Sequence, residues 1–324
     1  MKKMRTLLLT LDAFNTLFHP RPSIPHQYAS VAHAHGLPRT QVTPERIQSA
    51  FKAAYKEASR SHPNYGRDAV LRGQYGGPRQ WWEEVVRSTF TRALDAPSPH
   101  SANLPESLVP ALLDRFASKD GYALYDDARE FIARMRQARG DTSVSGAGVG
   151  KGMKRLGPFD RVLVGVVSNS DDRISVVLES LGVRVGRCRA DEDVTSGRLP
   201  GFEERGGGSP LPGGEGDEGR ESDVDLVVTS YEAGAEKPSR RIFDVARRQA
   251  GRVALAVDGN VSGSGDEDWT CVHVGDDLEK DYRGALAAGW GAYYVPREGD
   301  IEAPEGVRAL RSLVDLIPAL EDYK

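Results

Sequence analysis

The sequence has few cysteines, no long hydrophobic run and little excess charge. Only two of its 324 residues are cysteines, Cys188 and Cys271, so neither a disulfide framework nor a zinc-ligand spacing is available. No apolar run approaches the roughly 20 residues that span a bilayer, and Asp12 interrupts the N-terminal run before any signal-peptide cleavage site. A net charge of -4 gives no general attraction to nucleic acid or anionic membranes. We expect a soluble protein of a reducing compartment, cytoplasmic or also nuclear.

Glycine is the residue type whose placement is unusual. Of the 35 glycines, 17 fall within residues 140–157, 201–219 and 259–265, and these stretches have no apolar periodicity. Such segments bury too little apolar surface to offset the entropy lost on ordering. We interpret all three as flexible insertions in surface loops. The chain is longer than a usual single domain, so we expect two domains or one domain with large insertions.

Short apolar runs rich in β-formers alternate with amphipathic helical stretches along most of the chain. Near-continuous apolar strands between helices are typical of a parallel sheet covered on both faces. The predicted strands are residues 5–11, 162–167, 225–229, 271–274 and 292–295, and the predicted helices between them are residues 127–139, 173–181, 241–250 and 282–288.

Residues 19–120 have a different pattern, with helical periodicity and no convincing strand. One helix is predicted to begin at Thr43-Pro44, a cap followed by proline at the first helical position. Two further helices are predicted over residues 80–94 and 107–116. We therefore predict an α/β protein with a doubly wound parallel, Rossmann-like sheet formed by residues 1–18 and 121–324, and an inserted α-helical domain at 19–120.

Polar residues follow several of the predicted strands at the point where each ends. They are Asp12, Ser168-Asn169, Asp276-Asp277 and, shortly after the third strand, Lys237. The carboxyl ends of parallel strands border the ligand crevice of an open sheet, so we expect these residues to meet in one cavity. There a carboxylate is able to act as a nucleophile, Ser and Asn to hold an anion, Lys to neutralise charge, and paired acids to hold a hard cation.

Four motifs in this order resemble the haloacid dehalogenase superfamily of hydrolases. They read LDAFNTLF from Leu11, VVSNS from Val166, EKPSRRIF from Glu236 and HVGDDLEKDYRGALAAG from His273. Each motif alone is weak evidence, whereas four in order are strong. The helical insertion stands where that superfamily carries its type-1 cap. The segments HPNYG and QWWEEVVRSTF further resemble the branch typified by haloacid-dehalogenase-like hydrolase domain-containing protein 3.

The resemblance implies a role for each motif residue and a small phosphorylated molecule as the substrate. Asp12 would be the nucleophile that forms a covalent aspartyl intermediate, and Mg²⁺ would be held by Asp12, the Phe14 carbonyl and Asp276. Ser168 would bind the transferring group and Lys237 would bridge it to the nucleophile. The resemblance also implies that Asp281 orients Lys237 and that Thr16 shapes the turn beneath the site or contributes to substrate binding. From the residues themselves, we expect Asn169 to help hold the substrate and Tyr65 either to line the substrate pocket or to fill a turn. Asp277 is expected to cap a helix or to lie behind the metal ligands.

One departure from the superfamily pattern leaves three functions open. Its phosphatases read Asp-x-Asp, and the second Asp protonates the leaving group, a contribution of about 10²–10⁴-fold for a general acid. Here that position is Phe14. The three functions are a Mg²⁺-dependent phosphohydrolase, a catalytically weak or inactive protein that binds a ligand or partner, and a metal-free dehalogenase, since haloacid dehalogenases carry an aromatic residue there. The intact Gly275-Asp276 pair favours Mg²⁺, because a carboxylate facing Asp12 without a cation would be repelled.

Overall fold

The computed structural model describes residues 3–98, 103–140, 156–189, 222–258, 267–297 and 303–323. Apart from residues 140, 156 and 157, the Gly-rich stretches 140–157, 201–219 and 259–265 lie outside these residues. Their interpretation as flexible insertions therefore stays a prediction.

Eight strands are found in the described residues, and six of them form one parallel sheet. The strands are β1 (Met4–Leu11), β2 (Phe18–Pro20), β3 (Tyr122–Leu124), β4 (Arg161–Ser168), β5 (Val185–Arg189), β6 (Val224–Thr229), β7 (Glu267–Gly275) and β8 (Gly291–Tyr294). The order across the large sheet is β5-β6-β4-β1-β7-β8, and each neighbouring pair is parallel. The predicted α/β fold with a doubly wound parallel sheet is confirmed.

Helices cover both faces of this sheet. Those on or near the sheet are α6 (Asp126–Gly140), α7 (Ile174–Ser180), α8 (Ser230–Ala233), α9 (Arg240–Asp258), α10 (Gly284–Ala287) and α11 (Leu316–Glu321), with a π-helix at Leu278–Arg283 and a 3₁₀ turn at Leu313–Asp315. Successive leucines of β1 show why two layers are needed. Leu7 and Leu9 pack in the core on one face, whereas Leu8 packs in the core on the other, as alternating side chains of a strand must.

The helices between β2 and β3 have an apolar core of their own. They are α1 (Ile24–Ala34), α2 (Pro44–Ser61), α3 (Pro63–Leu71), α4 (Pro78–Ala93) and α5 (Leu108–Arg115). Tyr28, Ile47 and Phe90 from three of these helices are buried together. The hydroxyl of Thr43 accepts a hydrogen bond from the backbone N–H of Arg46 at 3.4 Å, so α2 begins as predicted. The division into domains at 19–120 stays a prediction.

Two short structures were not predicted. β2 and β3 form an antiparallel pair in which Phe18 lies opposite Leu124, so the prediction that 19–120 holds no strand is wrong at its first two residues. The edge strand β5 was also missed. Runs of three to five residues carry too little periodicity to indicate a strand, and it is pairing with a distant segment that orders them. Among the described residues, no helix is both long and apolar enough to cross a membrane.

Candidate active site

Asp12 directly follows the central strand β1, at the carboxyl end of the sheet. Its backbone N–H donates to the carbonyl of Val274 at 2.8 Å, and the residue is 8 % exposed. The chain then turns sharply, with the N–H groups of Thr16 and Leu17 donating to the Ala13 carbonyl. Asn15 within this turn has a φ of 59°, in the left-handed region that Asn tolerates better than most residues. The turn therefore fixes Asp12 at the head of the strand.

Lys237 connects the nucleophile candidate to a second buried carboxylate. Its Nζ donates to Asp12 Oδ1 at 2.6 Å and to the Val167 carbonyl at 2.8 Å, and lies 2.7 Å from Asp281 Oδ1. Burial alone would lower the pKa of Lys237, but the two carboxylates outweigh it and raise the pKa. Burial also raises the pKa of Asp12, and Lys237 opposes that shift. The lysine is thus held as a cation between two acids.

Asp281 is fixed from three directions. One carboxylate oxygen faces Lys237 and lies 3.2 Å from His273 Nε2, and the other accepts the backbone N–H of Asp277 at 2.9 Å. Burial opposes the charged form, yet Lys237 and His273 hold the pKa of Asp281 well below its ordinary value. A Cβ on Gly275 would lie 2.2 Å from Asp281 Cγ, so glycine is required for this close approach. Asp281 is thus in contact with Lys237, and its role in orienting that lysine stays a prediction.

Asp276 lies across from Asp12 at the end of β7. Its Oδ1 accepts a hydrogen bond from Thr16 Oγ1 at 2.9 Å, and its N–H donates back to that hydroxyl at 3.1 Å. Burial first, and then the negative charge of Asp12, raise the pKa of Asp276 to about 7. One carboxylate oxygen from each of Asp12, Asp276 and Asp281 lies within 4.8 Å of the others. Such a set of hard oxygen donors fits a small divalent cation.

Three residues predicted to bind substrate or shape its site have more specific positions in the structure. Thr16 has no exposed surface, and its hydroxyl positions Asp276 through two hydrogen bonds; its predicted part in substrate binding stays a prediction. The side-chain amide of Asn169 accepts the backbone N–H of Lys237 at 2.6 Å and donates to the Lys237 carbonyl at 3.0 Å. These two hydrogen bonds position the backbone of that lysine. Ser168 ends β4 and is 2 % exposed; its predicted role in holding the transferring group stays a prediction.

Asp277 caps the helical segment that follows β7. Its Oδ1 accepts the backbone N–H groups of Glu279 at 3.0 Å and Lys280 at 2.9 Å. Burial raises the pKa of Asp277, but these bonds and the Lys280 ammonium outweigh it and lower the pKa. Of the two predicted roles, a helix cap or an acid behind the ligands, the geometry shows the cap.

A cavity of about 320 Å³ lies between the carboxyl end of the sheet and the helices of the insertion. Its lining begins with Phe14, two residues after Asp12, and includes Tyr65 and Trp82 from the inserted helices. The Phe14 ring packs against Phe18 and Tyr122 at centroid distances of 6.1 and 6.2 Å. The position of the missing general acid is therefore part of an aromatic wall.

The HPNYG segment reaches this cavity through a left-handed turn. Asn64, Tyr65 and Gly66 have φ values of 47°, 59° and 76°, a costly conformation for a tyrosine. Asn64 Nδ2 donates to the Ser230 carbonyl at 2.8 Å, and the Ser230 hydroxyl donates to Asn64 Oδ1 at 2.9 Å. These bonds hold the turn against the core, with the Tyr65 hydroxyl 3.5 Å from the Asn169 carbonyl. Tyr65 both lines the cavity and fills the turn.

An ion pair that the sequence analysis did not predict lies in the lining of the cavity. Arg173 donates to both carboxylate oxygens of Asp171 through Nε and Nη2, and Trp82 Nε1 donates to Asp171 Oδ2 at 2.6 Å. The guanidinium carbon lies 4.7 Å from the centre of the Trp82 ring.

His273, which is 0 % exposed, is another residue of the site that the sequence analysis did not single out. A histidine inside an apolar strand, two residues before Gly-Asp, was the available signal.

Comparison with known proteins finds relatives along nearly the whole chain. The chain is 28% identical over 324 residues to haloacid dehalogenase-like hydrolase domain-containing protein 3 of Bos taurus, covering 98% of this chain and 95% of that protein. It is 26% identical over 287 residues to an uncharacterized hydrolase of Schizosaccharomyces pombe, covering 89% of each. No protein-family model matches. A solved structure of a magnesium-bound HAD-hydrolase of Bacillus subtilis has a TM-score of 0.47 at 15% identity, covering 98% of this chain and 99% of that one.

Proposed function

We propose that this chain, a member of the haloacid dehalogenase-like hydrolases, is a Mg²⁺-dependent phosphohydrolase of a small phosphorylated substrate that works through Asp12. The observation that carries the proposal is the buried lysine shared by Asp12 and Asp281, with Nζ distances of 2.6 and 2.7 Å. A binding protein has little need to keep a carboxylate and an ammonium in contact at the head of the central strand. A covalent nucleophile needs both.

Asp12, Lys237 and Ser168 would each have a separate part in the reaction. Lys237 holds Oδ1 of Asp12, so the other carboxylate oxygen would attack phosphorus while the bond from phosphorus to the substrate's leaving oxygen breaks and its electron pair departs with that oxygen. The ammonium would then stabilise the charge that develops on the phosphoryl oxygens. Ser168 would donate a hydrogen bond to one of those oxygens. Water would hydrolyse the resulting aspartyl phosphate and regenerate the carboxylate.

The donor set supports a divalent cation at this site. Asp12 and Asp276 would hold it, with the Phe14 carbonyl as the predicted third protein ligand. Without a positive charge between them, the two carboxylates oppose each other, as the raised pKa of Asp276 indicates. A bound Mg²⁺ would supply charge neutralisation that lets a phosphate dianion approach a carboxylate.

Phe14 supports two further candidates. An aromatic side chain cannot protonate a leaving group, which favours a weakly active protein that binds a ligand or partner. The apolar surroundings of Phe14 also suit a haloacid, which favours a metal-free dehalogenase. We place both behind the phosphohydrolase because Asp276, held by Thr16 beside Asp12, would oppose an uncompensated carboxylate nucleophile. The inserted helices would cover the site as a cap.

The test is a screen of phosphorylated metabolites with and without Mg²⁺, with a 2-haloacid as a separate arm. We expect phosphate release that requires Mg²⁺ and is lost in Asp12→Asn. Halide release without metal would instead identify a dehalogenase. Absence of turnover in both arms, in a protein that binds Mg²⁺, would favour the binding protein.

A further inference from the structure

Nine of the nineteen described residues that line the cavity are aromatic, and one of them is Phe14, two residues after Asp12. The cavity's 320 Å³ lies at the small end of the range of ligand pockets, about 300–1,000 Å³. Phe14 contributes to the wall from the core, and Phe51, Trp82 and Phe116 contribute from the insertion. This volume suits one or two fused aromatic rings, and ring edges and faces pack well against one another. The cavity therefore favours a flat apolar group over a hydrated sugar.

None of the described lining residues is suited to protonate a leaving group. Asp171 is the one carboxyl among them; burial opposes its ionisation, but Arg173 outweighs this and lowers the pKa. Burial raises the pKa of the lining phenols Tyr55, Tyr65 and Tyr122, which makes them weaker acids. Asp276 is held by Thr16 and is not part of the lining. The described lining therefore offers no acid, and a leaving group bound there would depart as an anion.

We propose that the cavity receives the aromatic part of an aryl phosphate monoester, an inference that rests on the phosphohydrolase function proposed above. In the first step a carboxylate oxygen of Asp12 forms a bond to phosphorus while the bond from phosphorus to the aryl oxygen breaks. Its electron pair leaves with a phenolate. In the second step water releases phosphate from Asp12, and the proton set free neutralises the phenolate.

The chemistry of the leaving group explains why Phe14 is compatible with turnover. A phenol has a pKa of about 10, whereas an alkyl alcohol is closer to water, at about 16. Phenolate departure therefore needs far less help from an acid. Phe14 stands at the position of the general acid and also forms part of the surface that would bind the ring.

The first experiment separates ring binding from leaving-group chemistry with four substrates at matched Mg²⁺. They are 1-naphthyl phosphate, 1-naphthylmethyl phosphate, ethyl phosphate and acetyl phosphate, whose leaving group is good but not aromatic. We expect kcat/KM for 1-naphthyl phosphate to exceed that for the naphthylmethyl ester by about 10²–10⁴-fold, and KM for 1-naphthyl phosphate to lie below that for acetyl phosphate. A KM for acetyl phosphate that is equal or lower would overturn the inference while leaving the proposed function intact. No Asp12-dependent turnover of any ester would overturn both.

The second experiment fills the cavity. Val177 lines it from α7 and is 2 % exposed, whereas its neighbour Val176 is 53 % exposed and absent from the lining. We expect Val177→Phe to lower kcat/KM for 1-naphthyl phosphate relative to acetyl phosphate on the order of tenfold or more, and Val176→Phe to change neither. Equal effects of Val177→Phe on the two substrates would contradict the assignment.

A third variant covers the case in which Val177→Phe fails to fold. Tyr55 lines the cavity and is 40 % exposed, so Tyr55→Ala opens the wall without emptying the core. We expect it to raise KM for 1-naphthyl phosphate more than KM for acetyl phosphate. Binding of 1-naphthol, followed by its fluorescence, should weaken in parallel. Unchanged binding of 1-naphthol in a folded Tyr55→Ala variant would refute the proposed subsite.

Discussion

Replacing Asp276 by Asn should change how the stability of the metal-free protein depends on pH. In the wild type, burial and the Asp12 carboxylate raise the pKa of Asp276 from 3.8 to about 7. The folded protein therefore holds this proton over a pH range in which the unfolded chain has lost it. Stability from this group is fully present below about pH 4 and is lost as the pH rises through about 7. Asn does not titrate, so the variant lacks this loss.

The size of the stability change follows from the shift in the pKa of Asp276. Moving the pKa from 3.8 to about 7, at about 1.4 kcal/mol per unit, predicts a loss of up to about 4 kcal/mol. Relative to Asp276→Asn, the wild type should lose most of this between about pH 4 and about pH 8. Mg²⁺ should counter the loss at the upper end, by about 2.7 kcal/mol at a concentration 100 times the Kd.

The assay is urea unfolding at a series of pH values for the wild type, Asp276→Asn and Asp277→Asn, each with and without Mg²⁺. Asp277→Asn is the matched control, since the pKa of Asp277 is lowered rather than raised. It should therefore give a difference of opposite sign. Parallel pH profiles for the wild type and Asp276→Asn would refute the argument that Asp12 and Asp276 oppose each other. Equal stabilisation of both proteins by Mg²⁺ would refute Asp276 as a ligand.

Three other substitutions test separate parts of the site. Asp12→Asn should abolish turnover while the melting temperature stays near the wild-type value, because the amide has nearly the same shape and Lys237 keeps its contact with Asp281; wild-type turnover would contradict the aspartyl mechanism. Phe14→Asp should raise turnover of alkyl phosphates, up to about 10²–10⁴-fold for a well-placed acid, and aryl phosphates much less; an equal gain in Phe14→Asn, which cannot donate a proton as an acid, would argue against that explanation. Gly275→Ala places a Cβ 2.2 Å from Asp281 Cγ, so chemical denaturation should show a loss of about 1–3 kcal/mol and activity should fall; wild-type values for both would show that Asp281 does not depend on this contact.

The inserted helices and the core are joined by contacts that no local pattern indicates. Trp81 and Trp82 are neighbours in α4. The structure buries Trp81, at 1 % exposed, and bonds Trp82 to Asp171. The two positions differ by one residue, or about 100° around the helix. Which of them faces the cavity depends on where the helix packs.

Local patterns in the sequence predict the parallel sheet and the residues at its carboxyl edge. Apolar runs and the polar residue after each run are local signals, so they place Asp12, Lys237 and Asp276 at one edge. The surroundings of these residues depend on tertiary contacts. His273 beside Asp281, the pairing of β2 with β3, and the cavity that joins Phe14 to Trp82 and Asp171 all depend on contacts between residues far apart in the chain. Period and spacing report which face of an element is apolar, whereas the partner of that face is set by packing across the whole chain.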